Sequence, residues 1–167
     1  QSVTATPQVQ YGGITMRGDV FLTGIAPSGG RRVSLSSSNT HRVTVPSGVT
    51  VPAGATTASF TITTIPTAVN QSSVISATTG AVTKTVFVAV NAPFLTSAAL
   101  AQSTLQGGQS TTMRLELNAP APASFSITLV SGSGLFVQLP SSYAIPQNQT
   151  SVDAPVLTTA VSATTPV

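Results

Sequence analysis

The chain has no cysteine and no tryptophan, a single lysine, a single histidine and three acids, Asp19, Glu116 and Asp153. Without cysteine there are neither disulfides nor thiolate metal sites. A catalytic triad or carboxylate pair would have to be drawn from His41 and those three acids. His41 falls in a predicted turn and Asp19 inside a predicted strand beside core-facing Val20, so no catalytic residues are expected. Calcium at a domain junction needs several oxygen ligands close together. The stretch Asn91-Ala92-Pro93 offers no carboxylate, and neither a metal nor a cofactor is expected. Sugar-binding platforms rely on flat aromatics, yet the two tyrosines, Tyr11 and Tyr143, stand with no tryptophan beside them. Long apolar runs are missing too: the longest, Val86 to Val90, is far short of the roughly 20 residues of a membrane helix, so no membrane insertion is expected. No charged-then-apolar leader opens the chain, and any signal peptide is expected to have been removed or to lie outside this sequence.

Charged residues make up 5% of the 167, against 41% hydrophobic, with Ser, Thr, Gly and Pro filling most of the rest. Disorder calls for the reverse balance. The apolar residues are mostly Val and Ala, with Thr beside them, which favours strands over helices. A surface built from hydroxyls and amides suits an extracellular protein that packs against copies of itself.

The organising unit is Val45 to Thr64, VPSGVTVPAGATTASFTITT, and a degenerate copy returns as Leu139 to Thr159, LPSSYAIPQNQTSVDAPVLTT. Each reads as strand, tight turn, strand, with a proline closing each short strand where no ladder N–H is needed. Around the first copy the chain alternates throughout. Strands are predicted at Ser2–Gln10, Thr15–Thr23, Arg31–Ser38, Val43–Val45, Val49–Val51, Thr56–Ile65, Ser73–Thr78 and Val82–Val90. Turn signals such as Ala26-Pro27-Ser28-Gly29-Gly30 recur every 8 to 12 residues or so, the spacing of a β-sandwich. The predicted core is Val20, Leu22, Val33, Leu35, Phe60, Ile62, Ile75, Val86 and Val88.

After Asn91-Ala92-Pro93 the pattern restarts. Leu95 to Leu105 is predicted as a strand ended by Gly107-Gly108, matching Gly12-Gly13. Leu115 and Leu117 match Val20 and Leu22, and Ile127 and Leu129 match Val33 and Leu35. The match fades after Thr159, before any counterpart of Ile75 to Val90. The expected organisation is therefore repeat one at residues 1–90 and repeat two at 91–167, the second lacking its last two strands. Leu115, Leu117 and Val156 are then expected to face water beside an unpaired strand edge, completed either by a continuation of the chain or by a neighbouring subunit.

The order Gly-Gly, alternating strand, Ala-Pro-Ser-Gly-Gly, Val-Ser-Leu-Ser-Ser-Ser, Val-Pro, Val-Pro-Ala-Gly-Ala-Thr, Phe-Thr-Ile-Thr-Thr resembles the bacterial immunoglobulin-like repeats strung in tandem in large secreted and surface proteins. Repeat two departs at Phe125, where that pattern has a second Gly, and at Gln147-Asn148, where it has Ala-Gly. The resemblance implies an all-β fold of two tandem immunoglobulin-like sandwiches with a spacer, adhesive or assembly role, and no catalytic residues.

Several smaller features remain. Arg17-Gly18-Asp19 spells an integrin-binding tripeptide, but the alternation buries Gly18 in mid-strand. Arg31-Arg32 with Arg42 is too short a basic patch, without interleaved aromatics, to indicate nucleic acid. Asn70-Gln71-Ser72 and Asn148-Gln149-Thr150 fit the glycosylation pattern at predicted turns. Lys84 reads as a charge near a strand end that discourages edge pairing. Net charge is +4 in the first repeat and −1 in the second, a split suited to head-to-tail contact. Phe21 and Phe87 point outward where another chain could pack. The expected function is an extracellular structural and assembly protein forming a fibre, sheath or surface layer by self-association. The alternative is an adhesive or glycan-binding stalk module.

Overall fold

The computed structural model describes residues 1–132 and 134–160. Among these the chain is all-β, in several largely antiparallel sheets consistent with β-sandwich domains, and no helix is present. It divides into two compact units, Gln1–Ala92 and Pro93–Val167. The fading of the repeat past Thr159 falls mostly on residues 161–167, outside the described residues.

In the first unit one sheet runs β1 (Ser2–Thr6), β3 (Met16–Phe21), β7 (Thr57–Thr64), β5 (Val43–Thr44). The other runs β2 (Val9–Tyr11), β9 (Val82–Asn91), β8 (Gln71–Thr79), β4 (Arg31–Ser37), β6 (Gly48–Val51). Both sheets turn their alternate apolar residues into one core, as period-two side chains require. Val20, Val33, Leu35, Phe60, Ile62, Ile75, Val86 and Val88 are buried there and Leu22 packs against them partly exposed; Val3, Ala5, Met16, Val43, Val51 and Val90 join them. The expected single strand Ser2–Gln10 is in fact two. A cis Thr6–Pro7 bond separates β1 from β2, and β2 crosses to the other sheet, where it pairs in parallel with β9.

The second unit repeats the ladder. Its four-stranded sheet runs β10 (Leu95–Leu100), β11 (Ser110–Leu117), β15 (Ser151–Thr158), β13 (Val137–Gln138), and its second sheet is β12 (Ser126–Thr128) with β14 (Ser142–Ala144). Gly18 opposite Phe60 becomes Met113 opposite Ala154. Arg32 opposite Thr50 becomes Ser126 opposite Ala144, and Val43 opposite Thr64 becomes Val137 opposite Thr158. Turn hydrogen bonds recur as well: Leu35 N–H to Ser47 C=O returns as Leu129 N–H to Ser141 C=O, and Leu22 to Thr56 as Leu117 to Thr150. Thr64 Oγ1 donates to backbone carbonyls at Tyr11 and Ile14, and Thr158 Oγ1 to those at Gln106 and Gln109.

These registers also account for the two departures in the repeat. Ser124 (φ 61°) takes the left-handed position of Gly30 (φ 79°), so Phe125 aligns with Arg31 and not with a glycine. Asn148 (φ 65°) takes the place of Gly54 (φ 78°), and Asn is among the few side chains that tolerate that conformation. Pro155 stands in mid-strand. Leu117 N–H donating to Thr150 sets the ladder phase, so the even-numbered amides of β15 face β11 and the imide of Pro155 faces away from it.

The pair Gly18–Phe60 and its counterpart exchange volumes. A Cβ on Gly18 would fall onto the Phe60 ring, so the small residue makes room for the large one. In the second unit the order is reversed, with Met113 opposite Ala154. This defines a double-mutant experiment. Phe60→Ala is expected to cost about 3–5 kcal/mol through the cavity it leaves, and Gly18→Ala about 1–3 kcal/mol through overpacking. Gly18→Met together with Phe60→Ala, which imports the pair of the second unit, is expected to cost less than Phe60→Ala alone. Denaturation midpoints with additive losses would show that the two sites do not share one space.

Candidate functional site

The feature that distinguishes the two units is how far their second sheets extend. In the first unit β4 lies between β6 and β8, with Ser34 opposite Thr78 and Ser36 opposite Ser76 on the β8 side. Beyond β8 lies β9, and β2 closes part of its edge at Ala89–Asn91. In the second unit the same sheet stops at β12, which pairs with β14 and with no other described strand. Because Leu129 N–H is committed to Ser141, strand alternation turns the N–H groups of Thr128 and Val130 to the side where the first unit has β8.

The consequences reach the neighbouring segments. The expected strand Leu95–Leu105 ends at Leu100, and residues 104–106, aligned with β2, find no counterpart of β9 among the described residues. Inward positions open up. Leu100 is 44% exposed where its counterpart Ala5 is 6% exposed, and Ala98 is exposed where Val3 is buried. Ile127, Leu129 and Val137 are half-buried, whereas Val33, Leu35 and Val43 are buried.

One expectation is corrected here. Leu115, Leu117 and Val156 do not face water: they are 0%, 6% and 4% exposed. Leu115 and Val156 lie on the two central strands of the four-stranded sheet, flanked on both sides, and Leu117 packs in a cluster with Ala121, Ile145, Phe125, Ile127 and Val152. The opening falls on the margins of the core, at β10 and β12, and not on its middle. Subtracting the missing strands from the first repeat identifies Thr128 in advance, but only once the register of β4 against β8 is known.

Apart from its short length, the edge of β12 lacks the usual safeguards. Edge strands are commonly shielded by charges, proline or short length. In the first unit Lys84 stands exposed on the part of β9 that β2 leaves uncovered. The run Phe125-Ser126-Ile127-Thr128-Leu129-Val130 has neither charge nor proline. β-branched and aromatic residues in such a run favour pairing with another strand.

The other singled-out residues lie elsewhere. Phe21 is 38% and Phe87 57% exposed; they stand on the outer faces of different sheets, Phe87 directly opposite exposed Val74. Arg17-Gly18-Asp19 is in β3, between β1 and β7, and not at a loop tip. Arg17 and Asp19 share the outer face and bind each other: Nη2 of Arg17 donates to Oδ1 of Asp19 at 2.9 Å, and Ser59 Oγ donates to the same oxygen at 2.6 Å. The second unit carries a counterpart with the signs rearranged. Arg114 occupies the register of Asp19 and donates to Glu116 at 2.9 Å and to Ser151 at 3.0 Å, with Asp153 at 3.5 Å. All three acids of the chain are thus held by arginines. His41 is exposed in a turn, and Arg31 Nε donates to Thr79 Oγ1 at 2.8 Å. Asn70 is exposed, but its Oδ1 accepts the Ala92 N–H at 2.9 Å. Asn148 is exposed at its left-handed turn.

No protein-family model matches the chain, and no curated protein sequence matches it. Among solved structures, a chain described under "Chaperone-tip adhesin complex is vital for synergistic activation of CFA/I fimbriae biogenesis" is similar to it over 96% of this chain and 86% of that one. The identity is 10% and the TM-score 0.41.

The outer-face cluster of the first unit has a pH signature. Hydrogen bonds from Arg17 and then Ser59 hold the Asp19 carboxyl below the usual carboxylate range. A depressed folded value means that the stabilisation is present above the unfolded pKa of about 3.9 and is lost as pH falls from there through the folded value. Carboxyl titration by NMR is expected to place Asp19 below the ordinary aspartate value, and Arg17→Ala to return it toward that value. An Asp19 titration that ignores the Arg17 substitution would show the pair is not formed in solution.

Proposed function

We propose that the chain is an extracellular or cell-surface structural protein whose tandem immunoglobulin-like repeats build a fibre, sheath or surface layer through contacts between chains. The observation that carries this reading is the uncovered edge of β12, beside half-exposed apolar positions, in a unit whose sister copy has the same edge covered by β8. Open edges of this kind are templates for pairing with another chain. Three further features support it. The surface is sparsely charged, at 5% of the chain, and the acids are paired with arginines. Exposed aromatics stand on both outer faces of the first unit. The residues that carry the resemblance to bacterial immunoglobulin-like repeats form the strands and turns of each unit.

Electron microscopy of the purified chain tests the reading against its rival. Regular filaments or sheets that appear as protein concentration rises are the expected result. Discrete monomers at every concentration, retained on a glycan array, would overturn it in favour of an adhesive module.

A further inference from the structure

We propose that the second unit takes up an added β-hairpin with the side-chain pattern of β8 and β9, whose first strand docks antiparallel against β12 with a serine or threonine opposite Thr128 and an alanine-sized residue opposite Leu129. The inference deepens the assembly reading and rests on it.

The chain itself contains the template for the occupant. Every ladder of the second unit repeats one of the first, and the pairing of β12 with β14 repeats β4 with β6 residue for residue. In the first unit the remaining side of β4 is filled by β8, with Thr78 opposite Ser34 and Ala77 opposite Leu35. Carried to the second unit, those positions face Thr128 and Leu129. The side chains of β8 and β9 that enter the core of the first unit are Ser73, Ile75, Ala77, Val86, Val88 and Val90. The positions they would cover in the second unit are the ones left open there, notably Leu100, Ile127 and Leu129. The occupant is therefore an alternating hairpin with Ile or Val inward and no charge on its inward face, and not a helix. Main-chain hydrogen bonds from the Thr128 and Val130 amides supply the affinity, and the apolar margin beside them supplies the register.

The test uses the 167-residue chain, isotopically labelled, and a synthetic peptide of the sequence Gln71–Asn91. Saturable shifts and slowed exchange are expected at the amides of Thr128 and Val130. The amide of Leu129, already bonded to Ser141, should stay as it is. A spin label at the peptide position of Thr78 should broaden Thr128 more than Ser126. Absence of shifts, or shifts confined to other strands, overturns the proposal. A second measurement guards against a peptide that aggregates alone. Val130→Lys, at an exposed site, places a charge on the edge without touching the β14 ladder and is expected to weaken chain–chain association at least tenfold. Where the unsubstituted chain associates, equal association of Val130→Lys overturns the proposal. Filaments that persist in Val130→Lys without peptide uptake defeat this edge and leave the assembly reading standing. Peptide uptake at Thr128 by a chain that never forms filaments defeats the assembly reading and leaves the edge.

Discussion

Everything distinctive in this chain follows from the obligation of backbone N–H and C=O groups to be paired or wet. A strand has two edges, and a sheet in water must end somewhere. The first unit ends its second sheet with β6 on one side and with β2 on the other, Lys84 standing on the part of β9 that β2 leaves uncovered. Among the described residues the second unit's sheet ends at β12, three strands earlier on that side, in a run with neither charge nor proline. The shortened β10, the opening of Leu100 and the half-burial of Ile127 and Leu129 are consequences of that one termination.

The same constraint explains how much was legible from residues alone. Period-two alternation and turn chemistry located nearly every strand, and the recurrence of Val-Pro, Gly-Gly and Ala-Pro located the second unit. The core residues Val33, Leu35, Phe60 and Ile62 were readable because their neighbours in sequence are polar. The division of the first strand at Pro7 was not, since local pattern cannot show that β1 and β2 serve different sheets. The burial of Leu115 and Val156 was missed for a related reason. Alternation gives the face of a strand but not the number of strands beside it, and these two residues lie on central strands.

Divergence between the units is compensated in space and not in sequence. Gly18 and Phe60 lie 42 residues apart in the chain, and their counterparts Met113 and Ala154 have exchanged sizes across the same ladder position. On the outer face the arginine has moved by one ladder step, from position 17 to the register of Asp19, and acidic partners have moved with it. Volume is thus conserved over the pair of positions, and an arginine–acid cluster recurs on the outer face, even where single positions differ. That explains why the repeat looks degenerate when read linearly and regular when read by register.

The central claim is that one ladder is built twice and covered once. Native-state hydrogen exchange of the isolated chain at low concentration tests it most directly. The amides of Ser34 and Ser36, which face β8, are expected to exchange orders of magnitude more slowly than those of Thr128 and Val130. The amides of Leu35 and Leu129, both bonded within their own sheets, should each be protected. Equal protection at Thr128, Val130, Ser34 and Ser36 in the isolated chain would contradict the account.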